Sequence, residues 1–126
     1  LEAGSASILQ MNLGRVGGLL EAKKIAAMAE TRSAQIAPHL YCGPVVAAAN
    51  IQIAVCSPNF MILESIGRFD GPMMQCLTAP ITWEDGYVTP PTEPVLGFEL
   101  NDEFIAEKPY LDSALHLNLD TNPIVM

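Results

Sequence analysis

Positive charge is scarce in this chain. Six Lys and Arg stand against fourteen Asp and Glu over 126 residues, a formal charge of −8. So few cations cannot neutralise a run of phosphates, which excludes nucleic acid and an anionic membrane surface as partners. Long apolar runs are missing as well. None reaches the roughly 18–20 residues that cross a bilayer, and no basic segment followed by an apolar one opens the chain as a secretory leader would. Cysteine is rare and odd in number: Cys42, Cys56 and Cys76 lack C-x-x-C spacing. That fits free thiols in a reducing compartment, so the expected location is cytoplasmic. Only two histidines occur, His39 and His116, which leaves few places for imidazole chemistry. What is abundant is apolar: 50% of residues, with 16% charged, enough for one domain with a single modest core. The acid is concentrated after Trp83 and reads as a solvated surface.

The first half alternates short apolar runs with helical periods. Ser7 to Met11 reads as a buried strand bounded by Asn12-Leu13-Gly14, and "GRVGG" reads as a loop. Leu19, Ala22, Ala26 and Ala29 recur on one face of an amphipathic helix, Leu19 to Ala29. Ala34 to Pro38 is a second strand, its proline tolerated because the strand stops there. Pro44 suits a first helical turn, and the apolar pattern runs on to Ser57. Phe60 to Glu64 is a third strand. Continuous apolar strands joined by helices predict parallel neighbours buried on both faces. Asn12, His39 and Glu64 then fall at or just beyond the C-terminal ends of three successive strands, the edge where parallel α/β sheets and barrels bind ligands. From residue 67 onward the pattern changes to Pro, Gly and acid. Asp85-Gly86 predicts a hairpin turn between Ile81–Trp83 and Tyr87–Thr89. Asn101 or Asp102 caps a short helix with acids in its first turn. Leu115, Leu117 and Leu119 alternate with His116 and Asn118 as a one-sided strand or docking tail.

Four segments, "ILQMNLGRVGGLLEAKKIAAMAE", "IAPHLYCGPV", "NFMILE" and "WEDGYVTPPTEPVLGFEL", stand in an order and spacing that resembles the C-terminal third of the enolase superfamily. The mandelate racemase-like branch, with its sugar-acid dehydratases and cycloisomerases, is the nearest in pattern. The resemblance runs to about Glu107; residues 110–126 match nothing in it. It implies an α/β fold, a partial TIM barrel made of strands six to eight of an enolase-type barrel, with an irregular acidic C-terminal segment. Residues 1–66 would form the barrel segment. Residues 67–126 would form an extension resembling the return to the capping domain. The implied chemistry is abstraction of the proton α to a sugar-acid carboxylate, with Mg²⁺ stabilising the enediolate. His39 matches the catalytic histidine, acting as base towards the α-proton or acid towards the departing group. Glu64 matches the strand-eight glutamate that meets the substrate carboxylate.

Three departures stand out. Asn12 occupies the position of the aspartate that pairs with that histidine. An amide can accept the imidazole N–H through its oxygen but brings no negative charge, and the same exchange in a serine-protease triad costs roughly 10⁴ in rate. Val95 stands where the family usually has glycine, at a position whose backbone angle valine would resist. The family's Mg²⁺ ligands and second base lie upstream of anything this sequence matches, and Asn101 to Glu103 are sequential and better explained as helix capping. No cofactor is therefore expected to be bound by this chain alone. Two blander readings belong beside these: His39 as a structural ring, and Lys23-Lys24 with Glu21 as a solvated helix face. Cys42, three residues after His39, lacks an evident third group that would make a nucleophilic pair of them. "LGRVGG" is not the dinucleotide fingerprint.

The open edges of such a barrel segment invite pairing, so the expected partner is a second copy in a homodimer, with a carboxylated small molecule as ligand. Three functions are compatible with the residues. The chain is the catalytically silent C-terminal part of an α-proton-abstracting enzyme, a homo-oligomeric binding or interaction protein built on the barrel remnant, or a functioning enzyme whose metal half comes from self-assembly or a separate chain.

Overall fold

A computed structural model describes residues 1–65 and 71–109. Strand β1 (Ile8–Leu9) leads into a one-turn helix α1 (Leu13–Val16), then α2 (Leu19–Glu30), β2 (Gln35–Ile36) and α3 (Pro44–Val55). A 3-10 helix (Pro72–Cys76), the hairpin β3 (Trp83–Glu84) and β4 (Tyr87–Val88), and α4 (Asp102–Glu107) follow. The boundary expected at residues 66 and 67 and the alternating tail around His116 lie outside the described residues.

The parallel arrangement expected of the first half is present. β1 pairs parallel with β2, Ile8 opposite Gln35 and Leu9 opposite Ile36. The ladder extends beyond these short strands, with Gln35, Ala37 and His39 N–H groups donating to Ser7, Leu9 and Met11 carbonyls at 2.9 Å each. On its other side β2 meets the third segment through a parallel bridge of Ile36 with Phe60. That segment is extended but is not a regular strand. Ile36 donates to Asn59 and Met61 donates to Ile36, after which the next rung would need an N–H at residue 38. Residue 38 is proline and has none. The pairing resumes one residue late, with Glu64 N–H instead of Leu63 N–H donating to the Pro38 carbonyl at 3.2 Å.

Burial on both faces holds only for the central strand. Ile36, Ala37 and Pro38 are buried, whereas Ile8 is 45%, Met61 51% and Ile62 60% exposed. Helices α2 and α3 cover one face, and the outer segments keep their other side open among the described residues. α2 buries Ala22, Ala26 and Ala29 as its spacing requires, but Leu19 at its start is exposed. Three small side chains let the helix lie close to the sheet. α3 is apolar all round because it packs between two clusters, one with Ile36, Ala26 and Met11, the other with Leu77, Cys76 and Ile81. It ends at Val55, two residues before the expected Ser57.

"GRVGG" is not a plain loop, since its first half belongs to α1. Gly17, at φ 103, closes that turn in the left-handed region, which an L side chain resists. The hairpin appears where Asp85-Gly86 predicted it, with Trp83 opposite Val88 and both turn residues at positive φ, as a tight two-residue connection demands. Asn101 caps α4, accepting from Phe104 N–H at 3.2 Å. Asp102 and Glu103 stand in its first turn. Cys42, Cys56 and Cys76 are free thiols, and among the described residues no helix is long and apolar enough to cross a membrane.

Asn59, between α3 and the third segment, ties elements together. Its Nδ2 donates to the Ala26 carbonyl at 3.0 Å and the Ala34 carbonyl at 2.9 Å, tying the third segment to α2 and to the entry of β2. Asn59→Ala leaves both carbonyls without that donor and should lower stability by about 2 kcal/mol, read as a shift of the urea midpoint with the slope unchanged. Val95 sits at φ 64 in the turn closed by Gly97 N–H to the Pro94 carbonyl, with its side chain 92% exposed. The left-handed region costs an L residue about 1–2 kcal/mol, and glycine returns about 0.4–1 kcal/mol through its looser unfolded chain. Val95→Gly should therefore stabilise by about 0.5–1 kcal/mol in the same measurement; a loss would refute the strain.

Candidate active site

The parallel register decides which side chains meet. β2 is bonded on both sides, so the residues leaving all three segments emerge at one edge of the sheet. His39 N–H donates to the Met11 carbonyl, placing the ring beside Asn12, and Asn50 Nδ2 of α3 donates to the His39 carbonyl at 3.2 Å. His39 is thereby held from a strand on one side and a helix on the other.

The three residues singled out in the sequence come together. Asn12 is 7% exposed and opens α1, and its Nδ2 lies 2.8 Å from His39 Nδ1. The opposite ring nitrogen, Nε2, is 3.8 Å from Glu64 Oε2, with both side chains about one-third exposed. That pairing is open to water, so it is worth little as an ion pair, but it sets the carboxylate beside the ring at this edge of the sheet.

Two further side chains complete the group: Gln10, which did not stand out in the sequence, and Cys42, which the sequence places three residues after His39. Gln10 Nε2 donates to Glu64 Oε2 at 2.8 Å. Gln10 is two residues before Asn12, and the two-residue period of a strand was the signal that could have found it. The Asn12 amide also donates to Cys42 Sγ at 3.3 Å. Cys42 is thus a neighbour of the amide rather than the partner of the imidazole.

The amide is turned the opposite way from the expectation. Instead of its oxygen accepting from the ring, its nitrogen faces Nδ1, and Asn12 Oδ1 is buried without a hydrogen bond. Asn50 Oδ1 is likewise buried and unbonded. Among the described residues no three His, Cys, Asp or Glu side chains gather closely enough to hold a metal ion. One partly exposed carboxylate beside an imidazole does not fit the near-octahedral oxygen shell Mg²⁺ demands. The chemistry open to these residues is hydrogen bonding to, and proton exchange with, an oxygen-rich ligand.

A family profile described as enolase C-terminal domain-like matches residues 1–104. The chain belongs to that family. Within the enolase C-terminal domain-like proteins it is 37% identical over 114 residues to the D-galactonate dehydratase of Ralstonia pickettii, a match covering 86% of this chain and 30% of that protein. A solved structure from Labrenzia alexandrii DFL-11, assigned as a mandelate racemase/muconate lactonizing enzyme, superposes with a TM-score of 0.86 at 68% identity. It covers 94% of this chain and 31% of its own. The mandelate racemase/muconate lactonizing enzyme from Sulfitobacter sp. gives a TM-score of 0.80 at 50% identity, covering 92% and 29%. The chain thus spans about a third of the length of the relatives it matches, and its α/β fold is part of the enolase-superfamily barrel.

Proposed function

We propose that this chain carries the imidazole and the substrate-contact carboxylate of a sugar-acid-transforming enzyme of the enolase superfamily, a dehydratase, cycloisomerase or racemase acting at the carbon α to a carboxylate. The observation that carries the reading is the convergence of His39, Glu64, Asn12 and Gln10 at the C-terminal ends of three parallel segments, with Nε2 and Oε2 3.8 Å apart. On this reading β1, β2 and the segment 60–64 correspond to strands six, seven and eight of the barrel. A polyhydroxy acid suits the mouth because Glu64 and Gln10 offer an acceptor and a donor to its hydroxyls, and the ring edge meets an anionic oxygen. The name of the Ralstonia relative makes D-galactonate the first probe.

The exposure of Ile8 at one outer edge, and of Met61 and Ile62 at the other, supports a second reading, association of two copies along these edges. Light scattering at micromolar concentration should then return a dimer, and a monodisperse monomer would end that reading.

For the first, the chain is incubated with D-galactonate and other sugar acids in D₂O, with and without Mg²⁺. Loss of the C2 proton is followed by NMR, and the melting temperature is recorded in parallel. Exchange assigns the chain catalysis, and His39→Asn should then slow it by about 10²–10⁴-fold. A rise in melting temperature without exchange assigns it the binding part of the chemistry. Neither effect across the panel overturns the reading.

A further inference from the structure

We infer that Asn12 is a positioning residue that holds His39 with its proton on Nε2, so that the ring presents a hydrogen-bond donor, not a base, to the mouth. The inference rests on the reading of this edge as the site of a carboxylated ligand. Asn12 Nδ2 lies 2.8 Å from His39 Nδ1 and 3.3 Å from Cys42 Sγ, so both hydrogens of the amide have an acceptor. A nitrogen that receives a hydrogen cannot carry one, which leaves the single proton of the neutral ring on Nε2.

Which way an amide points is assigned from its surroundings, and here they decide it. Asn12 Oδ1 is 3.3 Å from where a Cβ on Gly14 would sit, hence against the first turn of α1. The N–H groups of a first helical turn have no acceptor within the helix. The oxygen makes no hydrogen bond there, so the present orientation strands one acceptor, whereas the reversed amide would direct two N–H groups at the N–H groups of that turn and strand both. A carboxylate at position 12 has no hydrogen to give. It would draw the ring proton to Nδ1 and leave a lone pair on Nε2, the arrangement a base requires. Exchanging the acid for its amide therefore inverts the ring. Nε2–H then lies at the edge shared with Glu64 Oε2, 3.8 Å away, where it can donate to an anionic oxygen seated beside the ring. The ligand class this selects is a carboxylate or an enediolate oxygen stabilised by a neutral N–H donor.

The test is the tautomer itself, read by long-range proton–nitrogen correlation NMR on the ¹⁵N-labelled full chain. The measurement is made at about pH 8.5. A His116→Gln background leaves one ring to assign. The wild-type residue at position 12 should show Nδ1 bare and Nε2 protonated, and Asn12→Asp should exchange the two patterns. A ring protonated on Nδ1, or one averaging between both forms, with Asn at position 12 overturns the inference. The wild-type spectrum alone suffices if Asn12→Asp does not fold. Because the free chain is observed, this result is independent of D-galactonate binding. Failure of the sugar acid to bind would remove the functional reading and leave the tautomer where the spectrum puts it.

Discussion

The N–H of His39 bonded to the carbonyl of Met11 is the contact on which the site depends. It is the last rung of the β1–β2 ladder, and it sets the height of the imidazole relative to Asn12, the next residue along. Without it the ring and the amide would be two loop residues with no common frame. Behind it stand the buried Ile36 at the centre of the sheet and the Asn50 amide, which holds the other backbone group of His39 from α3. A strand bonded on both sides and capped by a helix is rigid, and a proton-handling group needs that rigidity to present one face to a ligand.

Pro38 shapes the other half of the site. Lacking an N–H, it ends the regular pairing with the third segment, and the chain re-engages through Glu64 instead of Leu63. The proline that closes β2 therefore also determines which residue of the neighbouring segment lies level with the ring. Gln10 then anchors the free end of the carboxylate from the far strand, so each of the three parallel segments contributes to one polar group. Asn59, at the opposite end of the sheet, ties the same unit together by bonding carbonyls of α2 and the β2 entry.

Much of this was legible in the residues. The parallel βαβ order, the alanine face of α2, the Asp85-Gly86 turn, the capping role of Asn101 and the strand-end positions of Asn12, His39 and Glu64 follow from period, turn chemistry and branching at Cβ. Other features were not. Burial of the strands was overestimated, because an apolar run reports that a side chain can be buried, not that a neighbour is there to bury it. The helical turn at Leu13–Val16, which shares Gly14 to Val16 with "GRVGG", does not show in the residues because four are too few to display a period. Gln10 shares a strand face with Asn12, but its role shows only once its partner Glu64 is in place.

By itself the sequence determined the kind of fold, the family resemblance and the identity of the polar groups at the strand ends, since these depend on local period and on residue type. The tertiary structure alone decided the orientation of the Asn12 amide, the one-residue slip at Pro38 and the company Glu64 keeps. Each of those is a relation between atoms far apart in the chain, set by hydrogen bonds whose donors and acceptors meet only after the strands have paired.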